Sequence, residues 1–206
     1  MAGGAAARCH RPSGDGQRGL GAQLAAHAAR QALPFVFTST AMVFHHEPDG
    51  PHAVDAPRNA QDDYGRYKIR CEDAVRHAHA GAMVARIGWQ IDPAQPGNNM
   101  LMARDDWQAR EGCVAASTAW TSACSFMADT AAALLTLLRA PEPGVHHLDS
   151  NADEAFSFAQ IVAALKARFE REHWQIREHA DYRHDQRLLG GGARMAALSS
   201  RLALPK

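Results

Sequence analysis

The sequence has no excess of charge of either sign and no long apolar run. Its 206 residues carry 22 Lys and Arg against 22 Asp and Glu, so the formal net charge is zero. This balance indicates neither a nucleic-acid-binding surface nor a surface that binds acidic lipids. The longest apolar stretch, around residues 131–138, is far too short to cross a bilayer. We therefore expect a globular protein with neither nucleic acid nor a membrane among its partners.

Cysteine is scarce and is not arranged in pairs. The four cysteines are spread along the chain without a Cys-x-x-Cys motif, at Cys9, Cys71, Cys113 and Cys124. This spacing is typical of free thiols in a reducing compartment rather than of a disulfide framework. We therefore expect a cytoplasmic protein.

Histidine, by contrast, is abundant, with twelve in the chain. His45, His46, Glu47 and His52 form one cluster, in a turn-rich segment (residues 45–59) that contains three prolines. No second group stands at the spacing of metal ligands. We therefore predict no metal site, and we expect this loop to cover part of a substrate site.

The most informative stretch runs from residue 34 to residue 68. Residues 35–37 are an apolar, β-prone run, followed by Thr38, Ser39 and Thr40. Tyr64 and Lys68 open a helix predicted from residue 62 or 63 to about residue 79, and their i, i+4 spacing places both on one helix face. A cation beside a phenol favours its ionisation and lowers its pKa from about 10. A strand-end hydroxyl with such a pair is typical of proton transfer coupled to hydride transfer at a carbonyl.

These residues carry a resemblance to a known family. The segment T-S-T-A-M-V-F, followed by Y-G-R-Y-K, resembles the extended short-chain dehydrogenase/reductase superfamily, and within it the sugar-nucleotide branch of the dTDP-4-dehydrorhamnose reductases. R-I-G-W at 86–89, N-N-M at 98–100 and G-V-H-H-L at 144–148 are similar to further segments of that family, so the resemblance extends over roughly residues 21–204. It implies an α/β fold, with a partial Rossmann-like parallel sheet with helices and a small C-terminal α/β substrate lobe.

The resemblance also implies a division of the chain. Residues 1–18 are small, polar and aperiodic, and we expect them to be a disordered lead-in. Residues 19–92 are expected to be the remnant of a Rossmann-like domain with the catalytic residues, and residues 93–206 to be mainly a substrate-binding lobe with interleaved elements. Helices are predicted at 21–31, 126–139 and 157–171, and strands at 82–87, 113–116, 144–148 and 174–176.

The family implies a role for each residue of the constellation. Tyr64 would donate the proton, Lys68 would lower the pKa of Tyr64 and bind the nicotinamide ribose, and Thr40 would hold the carbonyl oxygen. Tyr64 and Lys68 would thus be both catalytic and cofactor-binding, while Thr40, Trp89 and Asn99 would contact the substrate. The alternatives are a structural Tyr–Lys pair, a tryptophan packed at a domain edge, and an ordinary helix N-cap at Asn98 or Asn99.

Four further positions were considered for a role in binding. Asp129, near the start of a helix, is either a helix-end charge or a binding residue. Arg183 and Arg187 either meet a diphosphate or carry solvated charge. We interpret His147 as a structural histidine with satisfied hydrogen bonds.

The sequence departs from the family at its beginning. An apolar strand, a G-x-x-G-x-x-G turn and a helix that holds the cofactor pyrophosphate are expected there, and no such segment is present. Gly19 and Gly21 open a helix without a preceding strand. We therefore expect an amino-terminally truncated form whose exposed sheet edge favours association, for example as a homodimer. The expected cofactor, NADPH or NADH, follows from the resemblance alone.

Three functions remain open at this point. Thr40, Tyr64 and Lys68 favour an NADP(H)-dependent reductase of a 4-keto nucleotide-sugar. A nucleotide-sugar epimerase or dehydratase uses the same residue types. The missing cofactor glycines favour a non-catalytic regulatory or interaction protein of the same branch.

Overall fold

The computed structural model of the protein describes residues 14–47, 49–94, 97, 99–192 and 194–204. Residues 1–13 of the expected lead-in, and Asn98, lie outside the described residues. The α-helices are α1 (Gly14–Arg30), α2 (Asp63–Ala78), α3 (Met100–Glu111), α4 (Met127–Arg139) and α5 (Phe158–Arg168). The strands are β1 (Val36–Thr40), β2 (His52–Ala53), β3 (Met83–Ile87), β4 (Trp89–Ile91), β5 (Val114–Ser117), β6 (Trp120–Thr121), β7 (Cys124–Phe126), β8 (Gly144–Leu148), β9 (Ile176–His179), β10 (His184–Asp185) and β11 (Leu188–Leu189). Two short 3₁₀ helices complete the set, η1 (Ala41–Val43) and η2 (Leu198–Ser200).

A parallel sheet in the order β1-β3-β8 organises the first core of the molecule. On one face, α1 and α2 pack together and bury Ala25 and Val75 against Phe37. On the other face, α4 brings Ala133 against Leu148. Both faces of a parallel sheet are covered by helices in Rossmann-like folds. The prediction of an α/β fold with a partial Rossmann-like sheet is confirmed.

A second core lies beside this sheet. Its strands form the parallel pairs β4–β7 and β5–β9, and α3 and α5 pack against them. The largest side chains buried there are Met100, Phe158, Leu165 and Trp174. Since α4 and β8 lie between β7 and α5 in the chain but pack in the first core, the elements of the two cores interleave.

Local capping explains where several helices begin. The Asp62 side chain accepts from the Gly65 N–H at 2.8 Å, which fixes the start of α2 as predicted. Ser157 and Gln160 form a capping box at the start of α5, with the Ser157 hydroxyl accepting from the Gln160 N–H at 3.3 Å and the Ser157 N–H donating to Gln160 at 2.9 Å. Each cap satisfies backbone donors that the first turn of a helix leaves unpaired.

Several predicted boundaries differ from the structure. Helix α1 begins at Gly14, so residues 14–18, expected to be disordered, are helical. Strand β1 includes the hydroxyl residues instead of ending before them. Strand β9 begins at Ile176, so the strand predicted at 174–176 is wrong for its first two residues. Trp174 is fully buried instead, and its Nε1 donates to Asp105 Oδ1 at 2.8 Å.

Two further features of the described ranges bear on the sequence analysis. None of their helices has the length and apolar character needed to cross a membrane. Cys71, Cys113 and Cys124 are free thiols, and Cys9 lies outside the described residues.

Candidate functional site

A cavity of about 760 Å³ opens at the carboxyl ends of β1 and β3. Parallel α/β sheets bind their ligands at this edge, outside the ends of the strands. Its volume lies within the range of small-molecule sites. Its walls include the predicted residues Thr40, Tyr64, Lys68 and Trp89. The cavity is therefore the candidate active site.

Thr40 and Ser39 have different environments although they are adjacent at the end of β1. The Ser39 hydroxyl is buried and donates to Glu72 Oε1 at 2.5 Å. Thr40 is half-buried in the cavity wall, and its Oγ1 accepts from the Met42 N–H at 3.2 Å, which caps η1. Of these two hydroxyls, that of Thr40 is thus the one that a ligand in the cavity can reach.

Gly65 brings the start of α2 close to the end of β1. A Cβ atom at this position would lie 2.2 Å from the Met42 carbonyl oxygen and 2.4 Å from Ala60 Cβ. Only glycine allows the helix and η1 to approach so closely. This contact places Tyr64 in the same cavity wall as Thr40.

Tyr64 and Lys68 lie one turn apart on α2, as their spacing predicts. Tyr64 is 37% exposed, and Lys68 Nζ lies 5.9 Å from the centre of its ring. Lys68 Nζ also donates to the Thr38 carbonyl oxygen at 3.1 Å and lies 5.1 Å from the centre of the Phe37 ring. Burial lowers the pKa of Lys68, and the nearby Glu72 carboxylate partly offsets this effect. The ammonium is thus held in place beside the phenol.

Trp89 contacts both the cavity and the second core. Its side chain lines the cavity, and its ring also stacks on Phe158 of the second core at 6.1 Å and 2°. Gly88 makes this placement possible, because a Cβ atom there would lie 2.2 Å from the Ala123 carbonyl oxygen, the acceptor for the Trp89 N–H at 2.8 Å. Trp89 therefore forms the part of the wall that adjoins the second core.

Sequence reasoning missed three polar or aromatic residues of the cavity wall, Gln90, Trp120 and Gln186. The ring of Trp120 lies 6.3 Å from that of Trp89, centre to centre. Gln90 directly follows Trp89 in β4. A lone tryptophan in a segment of Ser, Thr and Ala was the available signal for Trp120.

The structure does not bring Asn99 into the cavity wall. Asn99 is 2% exposed, and its Oδ1 accepts from the N–H groups of Leu101 at 3.0 Å and Met102 at 3.2 Å. It is the N-cap of α3, which was the alternative interpretation of this residue. The side-chain oxygen of Asn99 thus serves the first turn of α3.

The other polar candidates have protein partners or lie at the surface. Asp129 accepts from Arg201, at 3.0 Å from Nε to Oδ2, as a helix-end charge does. Arg187 donates to Asp185 and to the Ala152 carbonyl oxygen at 2.9 Å, and Arg183 is exposed. Among them, no side chain lines the cavity.

A buried network of charges joins the elements that carry the site. Arg86 of β3 donates to Glu72 of α2 through Nε at 3.0 Å and through Nη2 at 2.8 Å. Ser39 of β1 also donates to that carboxylate. Burial alone would raise the pKa of Glu72, but the hydrogen bonds and charge of Arg86 hold it below its usual value. Glu72 lies one turn after Lys68, so this network holds α2 against β1.

His147 of β8 extends the network. Its Nε2 lies 3.2 Å from Arg86 Nη1, and its Nδ1 lies 3.0 Å from the Leu189 carbonyl oxygen. Burial and the Arg86 charge lower the pKa of His147 to about 4. The structure thus agrees with the interpretation of His147 as a structural histidine with satisfied hydrogen bonds.

The residues of the structure suit the nicotinamide ribose of a cofactor better than its phosphates. Lys68 and Tyr64 offer an ammonium and a hydroxyl to a ribose. Gly14, Gly16 and Gly19 lie within α1 rather than on a turn after a strand. Across the described residues, no glycine-rich turn leads from a strand into a helix as a dinucleotide phosphate site requires.

The histidines of the loop at 45–59 contact other rings. The structure groups no three metal-ligating side chains within the part of the chain that it describes. The ring of His52 instead stacks on Phe44 at 4.3 Å. Its Nε2 is buried and has no hydrogen-bond partner in the part of the chain that the structure describes.

Comparisons with solved structures show the fold of this chain in sugar-nucleotide enzymes. The dTDP-4-dehydrorhamnose reductase of Bacillus anthracis in complex with NADP superimposes with a TM-score of 0.70 at 13% identity, over 91% of this chain and 73% of that one. The reductase ortholog of Clostridium acetobutylicum gives 0.67 at 18%, over 85% and 64%. The dTDP-glucose 4,6-dehydratase DesIV of Streptomyces venezuelae, with NAD bound, gives 0.65 at 15%, over 88% and 61%. The chain thus spans about two thirds of the length of these enzymes.

Sequence comparison defines the family. No curated protein gives a significant match to the chain. The profile of the family described as RmlD substrate binding domain matches residues 18–185. This range includes every residue of the cavity wall except Gln186. The chain belongs to the RmlD substrate binding domain family, as its resemblance to the dTDP-4-dehydrorhamnose reductases predicted.

Proposed function

We propose that the chain carries the catalytic corner and the substrate side of a nucleotide-sugar reductase that reduces a 4-keto group with NADPH or NADH. The family and the fold support a nucleotide-sugar reductase-like function. In this proposal residues 19–92 hold the catalytic groups, and residues 93–206 contribute mainly the substrate-binding lobe.

One observation carries the proposal. Thr40 at the end of a strand, and Tyr64 with Lys68 on a helix, line one cavity, although 24 residues separate Thr40 from Tyr64 in the sequence. Trp89 and Trp120 supply flat apolar surfaces to the same cavity. Aromatic rings of this kind suit the faces of a sugar or a base.

The chemistry follows from these positions. A bound nicotinamide cofactor supplies the hydride to the carbonyl carbon. The Tyr64 hydroxyl donates its proton to the carbonyl oxygen as that oxygen gains negative charge. The Lys68 ammonium stabilises the phenolate left behind, and the Thr40 hydroxyl donates a hydrogen bond to the same oxygen. For this donation Thr40 Oγ1 can retain its acceptor contact with the Met42 N–H.

The test is reduction of dTDP-4-dehydrorhamnose, followed by the absorbance of NADPH and then of NADH. Tyr64→Phe removes only the hydroxyl, and we expect kcat to fall about 10²–10⁴-fold with an unchanged Tm. Tyr67→Phe on the same helix is the control, because Tyr67 does not line the cavity. The proposal is wrong if the unmodified protein oxidises neither cofactor in a substrate-dependent way.

A non-catalytic regulatory or interaction role is the second candidate. The lack of a glycine-rich phosphate turn among the described residues favours it. NADPH and NADH fluorescence on mixing with the protein separates the two candidates, because a reductase must bind one of them. A nucleotide-sugar epimerase would instead interconvert sugars without net oxidation of the cofactor, which product analysis detects.

A further inference from the structure

Arg104, on α3, is a buried arginine that the proposed chemistry does not use. Its residue is 4% exposed, and aromatic rings enclose the guanidinium. Its Cζ lies 4.4 Å from the centre of the Trp107 ring, 4.7 Å from that of Trp89 and 5.2 Å from that of Phe158. The charge therefore sits in a largely apolar environment.

This guanidinium has no polar partner among the described residues. Its Nε and Nη1 are buried and make no hydrogen bond. The neighbouring Asp105 is engaged elsewhere, because it accepts from Trp174 Nε1 at 2.8 Å and lies 3.6 Å from Arg171 Nη2. Burial lowers the pKa of Arg104 to about 10, which leaves the side chain charged at neutral pH. Buried charges are normally paired, and contacts with rings offset only part of the loss of water.

A second donor without a partner lies against the same rings. Trp120 lines the cavity, and its Nε1 is buried and makes no hydrogen bond within the described ranges. The Trp120 ring lies 4.4 Å from that of Phe158 and 6.3 Å from that of Trp89. Arg104 and Trp120 thus border the same pair of rings, and Trp89 belongs to both this cluster and the cavity wall. Trp120 and Trp89 line the cavity, and Arg104 lies against the Trp89 ring of that wall.

We propose that Arg104 and Trp120 form an anion subsite that takes the diphosphate of the ligand. A guanidinium offers a planar fork of donors that matches the oxygens of a phosphate, and the indole N–H adds one more donor. A diphosphate brings the negative charge that the site lacks. The identification of the anion as the diphosphate of a nucleotide-sugar rests on the proposed function, whereas the anion subsite rests on the unpaired donors themselves.

The test measures binding of inorganic pyrophosphate, dTDP and thymidine by tryptophan fluorescence. Trp89, Trp107 and Trp120 surround the subsite, so its occupation is expected to change their emission. Arg104→Met is expected to weaken binding of dTDP and pyrophosphate at least tenfold and to leave thymidine binding unchanged. Arg104→Lys, which keeps a charge, is expected to fall between the two. The exposed Arg110→Met on the same helix is the control and is expected to bind like the unmodified protein.

Thermal stability gives an independent readout. Without ligand, Arg104→Met is expected to unfold at the same Tm as the unmodified protein or higher, because the change removes a buried unpaired charge. It is also expected to lose the rise in Tm that dTDP produces in the unmodified protein. A lower Tm with unchanged dTDP affinity would mean that the arginine only packs against the rings, and the subsite would be refuted.

The remaining outcomes separate the subsite from the proposed function. Pyrophosphate binding that depends on Arg104, in a protein that reduces no nucleotide-sugar, would support the subsite and overturn the reductase. Reduction of the substrate with unchanged affinity in Arg104→Met and Arg104→Lys would support the reductase and overturn the subsite. An unmodified protein that binds neither dTDP nor pyrophosphate would overturn both. Should Arg104→Met fail to fold, the affinity of Arg104→Lys decides the question.

Discussion

Two arginines are buried to nearly the same extent in this protein but differ in their polar contacts. Arg86 is 2% exposed and Arg104 is 4% exposed. Arg86 donates to both oxygens of Glu72 and to the Val54 carbonyl oxygen, and it lies beside His147 Nε2. The Arg104 guanidinium lies against the rings of Trp89, Trp107 and Phe158. The Arg86 charge is paired within the fold, whereas the Arg104 charge has no polar partner among the residues that the structure describes.

The difference indicates two roles for the same side chain. A buried charge that is fully paired fixes the arrangement of the elements that pair it, because loss of one partner leaves the other uncompensated. A buried charge without a partner lowers the stability of the fold, and groups that lower stability in this way are typical of functional sites. The network around Arg86 thus holds α2 against β1, whereas the cluster around Arg104 is the anion subsite that we propose.

The largest expected effect is that of Arg86→Met. This change leaves the Glu72 carboxylate buried with only Ser39 and the half-buried Arg58 as polar partners. We expect the free energy of unfolding to fall by about 3–5 kcal/mol, measured by urea denaturation. A loss no larger than that of Arg104→Met would remove the distinction between the two arginines.

The double variant Arg86→Met with Glu72→Met sharpens this prediction. It removes both charges, so neither is left unpaired, and we expect it to be more stable than Arg86→Met alone. If the double variant is less stable by the sum of the two single losses, the pair does not act as a unit.

His147 gives the network a dependence on pH. Its pKa in the folded protein is about 4, below the ordinary value of 6.5. The unfolded chain therefore binds a proton at this position at higher pH than the folded protein does. Stability due to this residue is complete above about pH 6.5 and is lost as the pH falls towards 4, by about 3 kcal/mol.

The measurement is the free energy of unfolding against pH for the unmodified protein and for His147→Asn. Asparagine keeps a donor near the position of Nδ1 but does not titrate. We expect the variant to show a smaller loss of stability between pH 6.5 and pH 4. His77→Asn, at an exposed position on α2, is expected to follow the unmodified protein. Parallel curves for His147→Asn and the unmodified protein would contradict the prediction.

Ser39→Ala is expected to have a smaller effect. It removes the 2.5 Å hydrogen bond to Glu72 but leaves Arg86 in place. A hydrogen bond to a charged group contributes about 1.5–3 kcal/mol, and we expect a loss in this range in urea denaturation. Because the Thr40 hydroxyl faces the cavity, Thr40→Ala is expected to lower kcat with a smaller loss of stability. If Ser39→Ala lowered kcat and Thr40→Ala lowered stability instead, the roles assigned to the two hydroxyls would be wrong.

Arg58→Met is expected to have the smallest effect. Arg58 also contacts Glu72, at 3.2 Å, but its side chain is 25% exposed. Partly exposed ion pairs contribute about 0–1 kcal/mol, so we expect a loss of this size. A loss as large as that of Arg86→Met would mean that burial does not determine how much each arginine contributes to the free energy of unfolding.

Local patterns in the sequence predicted the elements whose signals are short-range. The i, i+4 pair of Tyr64 and Lys68 and the Asp62 cap predicted α2, and the apolar run before Thr40 predicted β1. Ser157 predicted the start of α5. Each of these signals lies within a few residues of the feature it predicts.

Features that depend on distant residues could not be predicted in this way. The glycine-rich start of α1 is unfavourable for a helix by itself, but Gly21 packs against Val75 and Phe37, which come from other elements. Glu72 and Arg104 are charged residues on helices and resemble surface positions in the sequence. Their burial follows from what packs over them, which no local pattern contains.

The polar positions of the three central strands lie side by side, because Ser39 pairs with Arg86 and Arg86 with His147. If a strand slipped by one residue, these side chains would turn towards the apolar side that α4 covers, and Thr40 would leave the cavity. The buried charged side chains therefore favour one register of the three strands. The same charges that stabilise the sheet thus also determine that the Thr40 hydroxyl lies at the cavity.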